Sequence, residues 1–201
     1  MPVPTLISEL STTPASNSPA GGESIGTNAD DYIRSLMTFV KVLSNAMPEP
    51  YVYLREQQTS GTQGGVAVAD TWTNRVLNTE VVDTDSICSL AANAFTLSAG
   101  TYRIRARSPF LRTNGEKIRL RNTTAGTTVL VGSSSYSDST TSITQVDSCI
   151  VGRFTVAAAQ ALTIQYWAND TFALNSLGAQ VGSGEVEIFT EVELWKEYVE
   201  A

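Results

Sequence analysis

A chain of 201 residues, 42% of them apolar, can bury one substantial core without disulfide or metal staples and still leave room for an appendage. Its 13 basic against 20 acidic side chains give a net charge of −7, which argues against wrapping nucleic acid as the main task. The absence of histidine removes the usual general base of serine and cysteine hydrolases, and with it the commonest metal ligand.

Residues 1 to 27 are rich in Pro, Ser, Thr, Gly and Ala, and carry a short apolar patch at Leu6, Ile7 and Leu10. Such a segment cannot bury enough surface to fold alone, so it reads as an extended arm. Either it is a plain tail, or the patch docks on something. The N-terminus lacks the basic and apolar pattern of a signal peptide, and no apolar run is long enough to cross a bilayer. Neither export by the usual route nor membrane insertion is expected.

Residues 28 to 47 hold the one strong helical pattern. Ile33, Leu36, Val40, Leu43 and Met47 recur in alternating steps of three and four, which lines one helical face; Tyr32, Met37, Phe39 and Val42 widen it. Asn28 suits the N-cap, Asp30 and Asp31 suit the first turn, and Pro48 and Pro50 forbid continuation. A helix of about five turns is marginal alone in water, so packing must hold it. The partner is either the body of its own chain or other copies of the same helix.

Beyond residue 48 the period changes from helical to two. Short β-forming runs separated by polar turns are expected at 51–57, 73–82, 94–97, 101–107, 117–122, 128–132, 143–156, 162–168 and 185–196, which predicts a mainly β, antiparallel sandwich or barrel over 48–201. Tyr102, Ile104 and Ala106 oppose Arg103, Arg105 and Arg107; Val186, Ile188, Val192 and Leu194 oppose Glu185, Glu187, Glu191 and Glu193. The basic row, with Arg112, Lys117, Arg119 and Arg121, serves either an anionic ligand such as a glycan phosphate or cross-strand and cross-subunit ion pairing with the acidic strand.

Three polar loops, 60–70, 133–142 and 169–183, can present binding groups. Tyr136 and Asp138 in the second, and Asn169, Asp170 and Phe172 in the third, put aromatic faces beside amide and carboxylate groups, as sugar and protein surfaces require. Solvated turns are the plainer alternative. Cys88 and Cys149 fall in predicted strands and read as buried thiols or as a disulfide. Acid pairs such as Asp83 with Asp85, or Asp138 with Asp147, are explained as neighbouring surface acids rather than a glycosidase pair. No phosphate loop, CxxC pair or calcium loop is present, so no enzyme activity, metal or cofactor is expected.

Two blocks carry a family resemblance. NSPAGGESIGTNADDYIRSLMTFVK, residues 17 to 41, resembles the N-terminal region of bacteriophage tail-fibre and other virion fibre proteins. LSAGTYRIRARSPFLRTNGEKIRLRNTTAGTTVLVGSS, continued by CIVGRFTVAAAQALTIQYWAN and EVEIFTEVELWKE, is similar to the jelly-roll heads of such fibres, which resemble the trimeric C1q and tumour-necrosis-factor fold. The resemblance implies a homotrimer whose helices pack about a three-fold axis, whose arm (1–27) docks on other virion proteins, and whose head faces a host-surface glycan or protein. Without a shaft, a tail fibre, a head fibre or a decoration protein are all open. The heptad pattern itself, with Ile and Val alternating with Leu, favours two strands in parallel coils, so three-fold assembly comes from the resemblance.

Overall fold

Each strand of the head places its apolar side chains at alternate positions, and this period of two decides which side faces inward. The structure, a computed structural model, describes residues 6, 9–11, 16, 29–46, 48–138, 144–172 and 174–197. The chain divides into two units, Met1–Pro48 and Glu49–Ala201.

In the first unit, helix α1 spans Ala29–Ala46, within one residue of the expected span at each end. Its Asp31 and Arg34 form an exposed ion pair, 3.8 Å apart. The expected cap Asn28, and Met47, lie outside the described residues.

The second unit contains eleven strands among the described residues: β1 Tyr51–Gln58, β2 Thr73–Asn74, β3 Thr79–Asp83, β4 Cys88–Ala91, β5 Ala94–Leu97, β6 Gly100–Leu111, β7 Glu116–Asn122, β8 Thr127–Ser135, β9 Gln145–Val156, β10 Gln160–Ala168 and β11 Glu187–Glu197. They form two sheets, ordered β3-β1-β11-β6-β9 and β4-β5-β10-β7-β8, with β2 added beside β10. The antiparallel pairs are nested: β1 with β11, β5 with β10, β6 with β9, β7 with β8. First joins last, and the middle pair is a hairpin. That is a long hairpin rolled onto itself, the eight-stranded jelly roll, in keeping with the antiparallel β domain expected over 48–201.

Between the sheets lie Val52, Leu54, Phe95, Leu97, Tyr102, Ile104, Ile118, Leu120, Ile150, Leu162, Ile164, Tyr166, Val192 and Leu194, all buried. A charged pair is buried with them. Arg75 Nη2 lies 3.1 Å from Glu56 Oε2, Arg75 Nε donates to Thr190 Oγ1 at 2.7 Å, and the guanidinium stands 5.7 Å from the Phe110 ring. Burial pushes the Glu56 carboxyl up and Arg75 down, and each partner's charge opposes the other's shift. Arg75 also donates to the Leu177 carbonyl at 2.9 Å, so the pair ties the stretch after β10 to the core.

Two expectations about the strands are corrected. The run 73–82 is not one strand but β2 and β3, because Arg75 and Leu77 turn into the core between them. The inward row of β11 also breaks. Val192 and Leu194 are buried as expected, but Val186 is exposed and Ile188 half-exposed, while Phe189, Thr190 and Glu187 are buried. The register with β1 shifts between Arg55 and Gln57, which changes the facing side before Thr190. Glu187 tolerates burial because its carboxylate accepts from the N–H groups of Gly61, Val181 and Gly182 at 3.0, 3.1 and 2.7 Å.

Cys88 and Cys149 are both free. Cys88 is half-buried, and burial, with Glu80 and Asp83 nearby, pushes its thiol up to about 12. Cys149 is exposed rather than buried, since it lies on the outward face of β9, opposite Arg107.

Candidate functional site

The basic row on β6 finds its acids within its own sheet. Register sets Arg107 opposite Glu191 and Arg105 opposite Glu193. Arg107 pairs with Glu191 and, at 3.4 Å, with Asp147; Arg105 lies 3.7 Å from Glu193; Arg103 pairs with Glu49 and reaches Glu197 at 4.0 Å. Tyr51 donates to Glu193 at 3.0 Å and Tyr53 to Glu191, and Tyr51 is pushed up to about 12 by burial and then by Glu193. This face is therefore cross-strand ion pairing, worth a few tenths to about 1 kcal/mol per pair.

The row on β7 differs. Lys117, Arg119 and Arg121 stand at every second position, facing outward opposite Trp167, Gln165 and Thr163 of β10. No ion pair forms on any of the three among the described residues. Arg119 instead donates to Gln165 Oε1 at 2.9 and 2.7 Å and lies 4.0 Å from the Trp72 ring. Burial and the neighbouring Arg121 both lower its pKa.

At one end of the sandwich, the turn between β6 and β7 gathers the predicted loop residues. Arg112 and Asn114 take φ of 57° and 61° there, a left-handed conformation that asparagine accepts readily. The turn is fastened on two sides. Thr113 N–H donates to Ser137 Oγ at 3.0 Å, and Asp170 N–H donates to the Thr113 carbonyl at 3.0 Å. Tyr136 donates to Asn114 Oδ1 at 3.2 Å, and Asn114 Nδ2 donates to Asp170 Oδ2 at 3.2 Å. Trp167 Nε1 donates to Asn169 Oδ1 at 2.9 Å, and the Arg112 guanidinium sits 4.6 Å from the Phe172 ring.

Tyr136, Asn169, Asp170 and Phe172 thus surround one turn, and Asp138 follows two residues after Tyr136, half-buried. Residues 139–143 and 173 lie outside the described residues. The pole is the one remote from the start of the head. β1 begins opposite Trp195, β6 begins opposite Glu197 and runs antiparallel to β11, so Leu111 ends at the far side.

Beside this turn opens a cleft of about 380 Å3, lined by Trp72, Gly115, Glu116, Lys117, Ser134, Ser135, Trp167 and Asn169. The two indole rings lie 5.9 Å apart, tilted by 58°. Sequence reasoning did not single out Trp72. Its signal would have been an aromatic between two threonines, next to a predicted strand.

In the first unit, Ile33, Leu36, Val40 and Leu43 are 54–59% exposed, as are neighbouring Met37 and Val42 to similar degrees. Of the arm residues, Leu6 and Leu10 are exposed, and Ile7 lies outside the described residues.

No family model matches the chain, and no curated protein sequence matches it. Solved structures do resemble it. The globular domain of a zebrafish complement 1qA protein has a TM-score of 0.49 at 13% identity, covering 76% of this chain and 99% of its own. Murine APRIL gives 0.46 at 13%, covering 74% and 99%. The Eiger TNF of S. frugiperda gives 0.48 at 14%, covering 77% and 96%. The structural neighbours are thus C1q and TNF jelly-roll domains, and the nested strand pairing above establishes the architecture independently of them.

Proposed function

We propose that the chain is a structural protein of a bacteriophage virion, a tail or head fibre in which the arm and helix α1 attach to the particle and a trimeric jelly-roll head meets the host surface. The observation that carries this reading is the helix stripe. Ile33, Leu36, Val40 and Leu43 remain more than half exposed, which water penalises and a self-associated helix bundle relieves. The resemblance of residues 17 to 41 to virion fibre anchors supports the rest. In this reading Leu6, Ile7 and Leu10 dock on other virion proteins, Met47 continues the helix contact, and the head is assembled onto the virion in the host cytoplasm. In the same reading, the loop pole, remote from the start of the head at Tyr51, is the part that faces outward.

A second reading is favoured by the loop pole's own hydrogen bonds. Tyr136, Asn114 and Asp170 bond to one another and Asn169 is held by Trp167, as expected of a decoration or adaptor protein that binds virion proteins and no receptor. A binding assay of the purified full chain decides between them. Retention on host cells supports attachment; tight binding to virion proteins with no retention on cells overturns it in favour of decoration.

A further inference from the structure

The two basic rows of the head are treated differently by the fold. Every arginine of the β6 row has an acid partner in its own sheet, while Lys117, Arg119 and Arg121 of β7 have none among the described residues, in a protein of net charge −7. Three cations spaced by about 6.6 Å along one strand make a local positive stripe. Nothing in the strand ladder requires it.

The stripe begins at the cleft. Lys117 stands directly opposite Trp167, so its side chain and the indole share one face, and Arg119 steadies Trp72 at the cleft's other wall. Indole faces and unpaired cations on one face call for different parts of one molecule, an apolar ring face and an anionic group.

We infer that the cleft of Trp72, Trp167 and Lys117, continued by Arg119 and Arg121, binds an acidic saccharide, with a sugar ring on indole and its carboxylate or phosphate on the β7 cations. This rests on the reading of the head as the host-facing part, and names the ligand class and the face it uses. A neutral saccharide lacks a counterpart for the cations, and a simple anion lacks one for the indoles.

The test is calorimetric titration of the full chain with an oligogalacturonate, sialyllactose and neutral maltotriose. Binding of an acidic oligosaccharide is expected, weakening as salt is raised. Trp167→Ala and the double variant Lys117→Ala with Arg121→Ala should each weaken it at least tenfold, while Arg105→Ala on the paired row leaves it unchanged. Thermal unfolding of each variant reports whether the head is intact. No heat with either acidic oligosaccharide, equal binding of maltotriose, or an unchanged Trp167→Ala overturns the inference. Host-cell retention separates the two readings: cells retained equally by wild type and Trp167→Ala overturn this site and leave attachment standing, whereas oligosaccharide bound without cell retention supports the site and overturns attachment.

Discussion

At the scale of single residues, burial decides which charges matter. The ion pairs on the outer face of β6 and β11 are exposed to solvent and each contributes little. Arg75 and Glu56 are fully enclosed, and removing one partner leaves the other charged and unsatisfied. Arg75→Met is therefore expected to lower the stability of the head by about 3–5 kcal/mol in denaturant unfolding, and a loss below about 1 kcal/mol would contradict the role given to the pair. Glu187 acts through pH. Three backbone N–H groups, from Gly182 first, hold its carboxyl below the ordinary value of 4.5. A carboxylate with a depressed folded value contributes stability that is present above the ordinary value and lost as pH falls through the folded one. The protection of the Gly61, Val181 and Gly182 amides, taken relative to their intrinsic exchange rates, should therefore fall on acidification in the wild type and stay flat in Glu187→Gln. Identical acid dependence in both proteins would refute the clamp. Neither residue was legible beforehand: Arg75 lies within the run 73–82 that reads as one strand and was not singled out, and Glu187 falls on the outward beat of a regular alternation that the β1 register shift in fact breaks.

At the scale of elements, period carried most of the information. The 101–107 alternation of Tyr102, Ile104 and Ala106 with three arginines located β6 and its inward face, and the 94–97 run matched β5 to the residue. Ends were less legible, since β6 runs on to Leu111 through a proline that sits opposite Asp147 near the sheet edge. Strand β4 was given no bounds, although Cys88 was read as a strand residue, because Cys88–Ala91 is short and lacks alternation strong enough to delimit it. The loop cluster was named in part: the aromatic and amide composition of two loops pointed to Tyr136, Asn169, Asp170 and Phe172, but only the third-dimensional turn at Thr113 joins them. Helix α1 presents its stripe to solvent in the single chain, and that stripe gives the sharpest element-level prediction. Leu36→Asp with Val40→Asp should reduce the assembly to monomers by light scattering, because a shared apolar seam would bury two unpaired carboxylates. An unchanged mass would remove the helix from the interface.

At the scale of the whole molecule, the division at Pro48 separates a unit rich in exposed apolar groups from one that satisfies its own core. If the proposed virion role holds, deletion of residues 1 to 27 should leave the head's thermal unfolding unchanged while abolishing incorporation into particles, measured by protein content of purified virions. Normal incorporation would make the arm a plain tail.

The nested pairing of the strands also imposes a timetable. β7 and β8 are joined by a short turn and can pair as soon as both exist, whereas β1, the first strand made, has β11 as its central-sheet neighbour and waits for almost the whole head to be synthesised. Contacts that span so much chain are slow to form, and until they do the flank of β1 facing β11 is an open edge. A chain cut short before Glu187 leaves that edge open permanently: it is expected to aggregate on synthesis, recovered in the pellet, and a soluble, protease-resistant fragment would show that the two sheets close in another order.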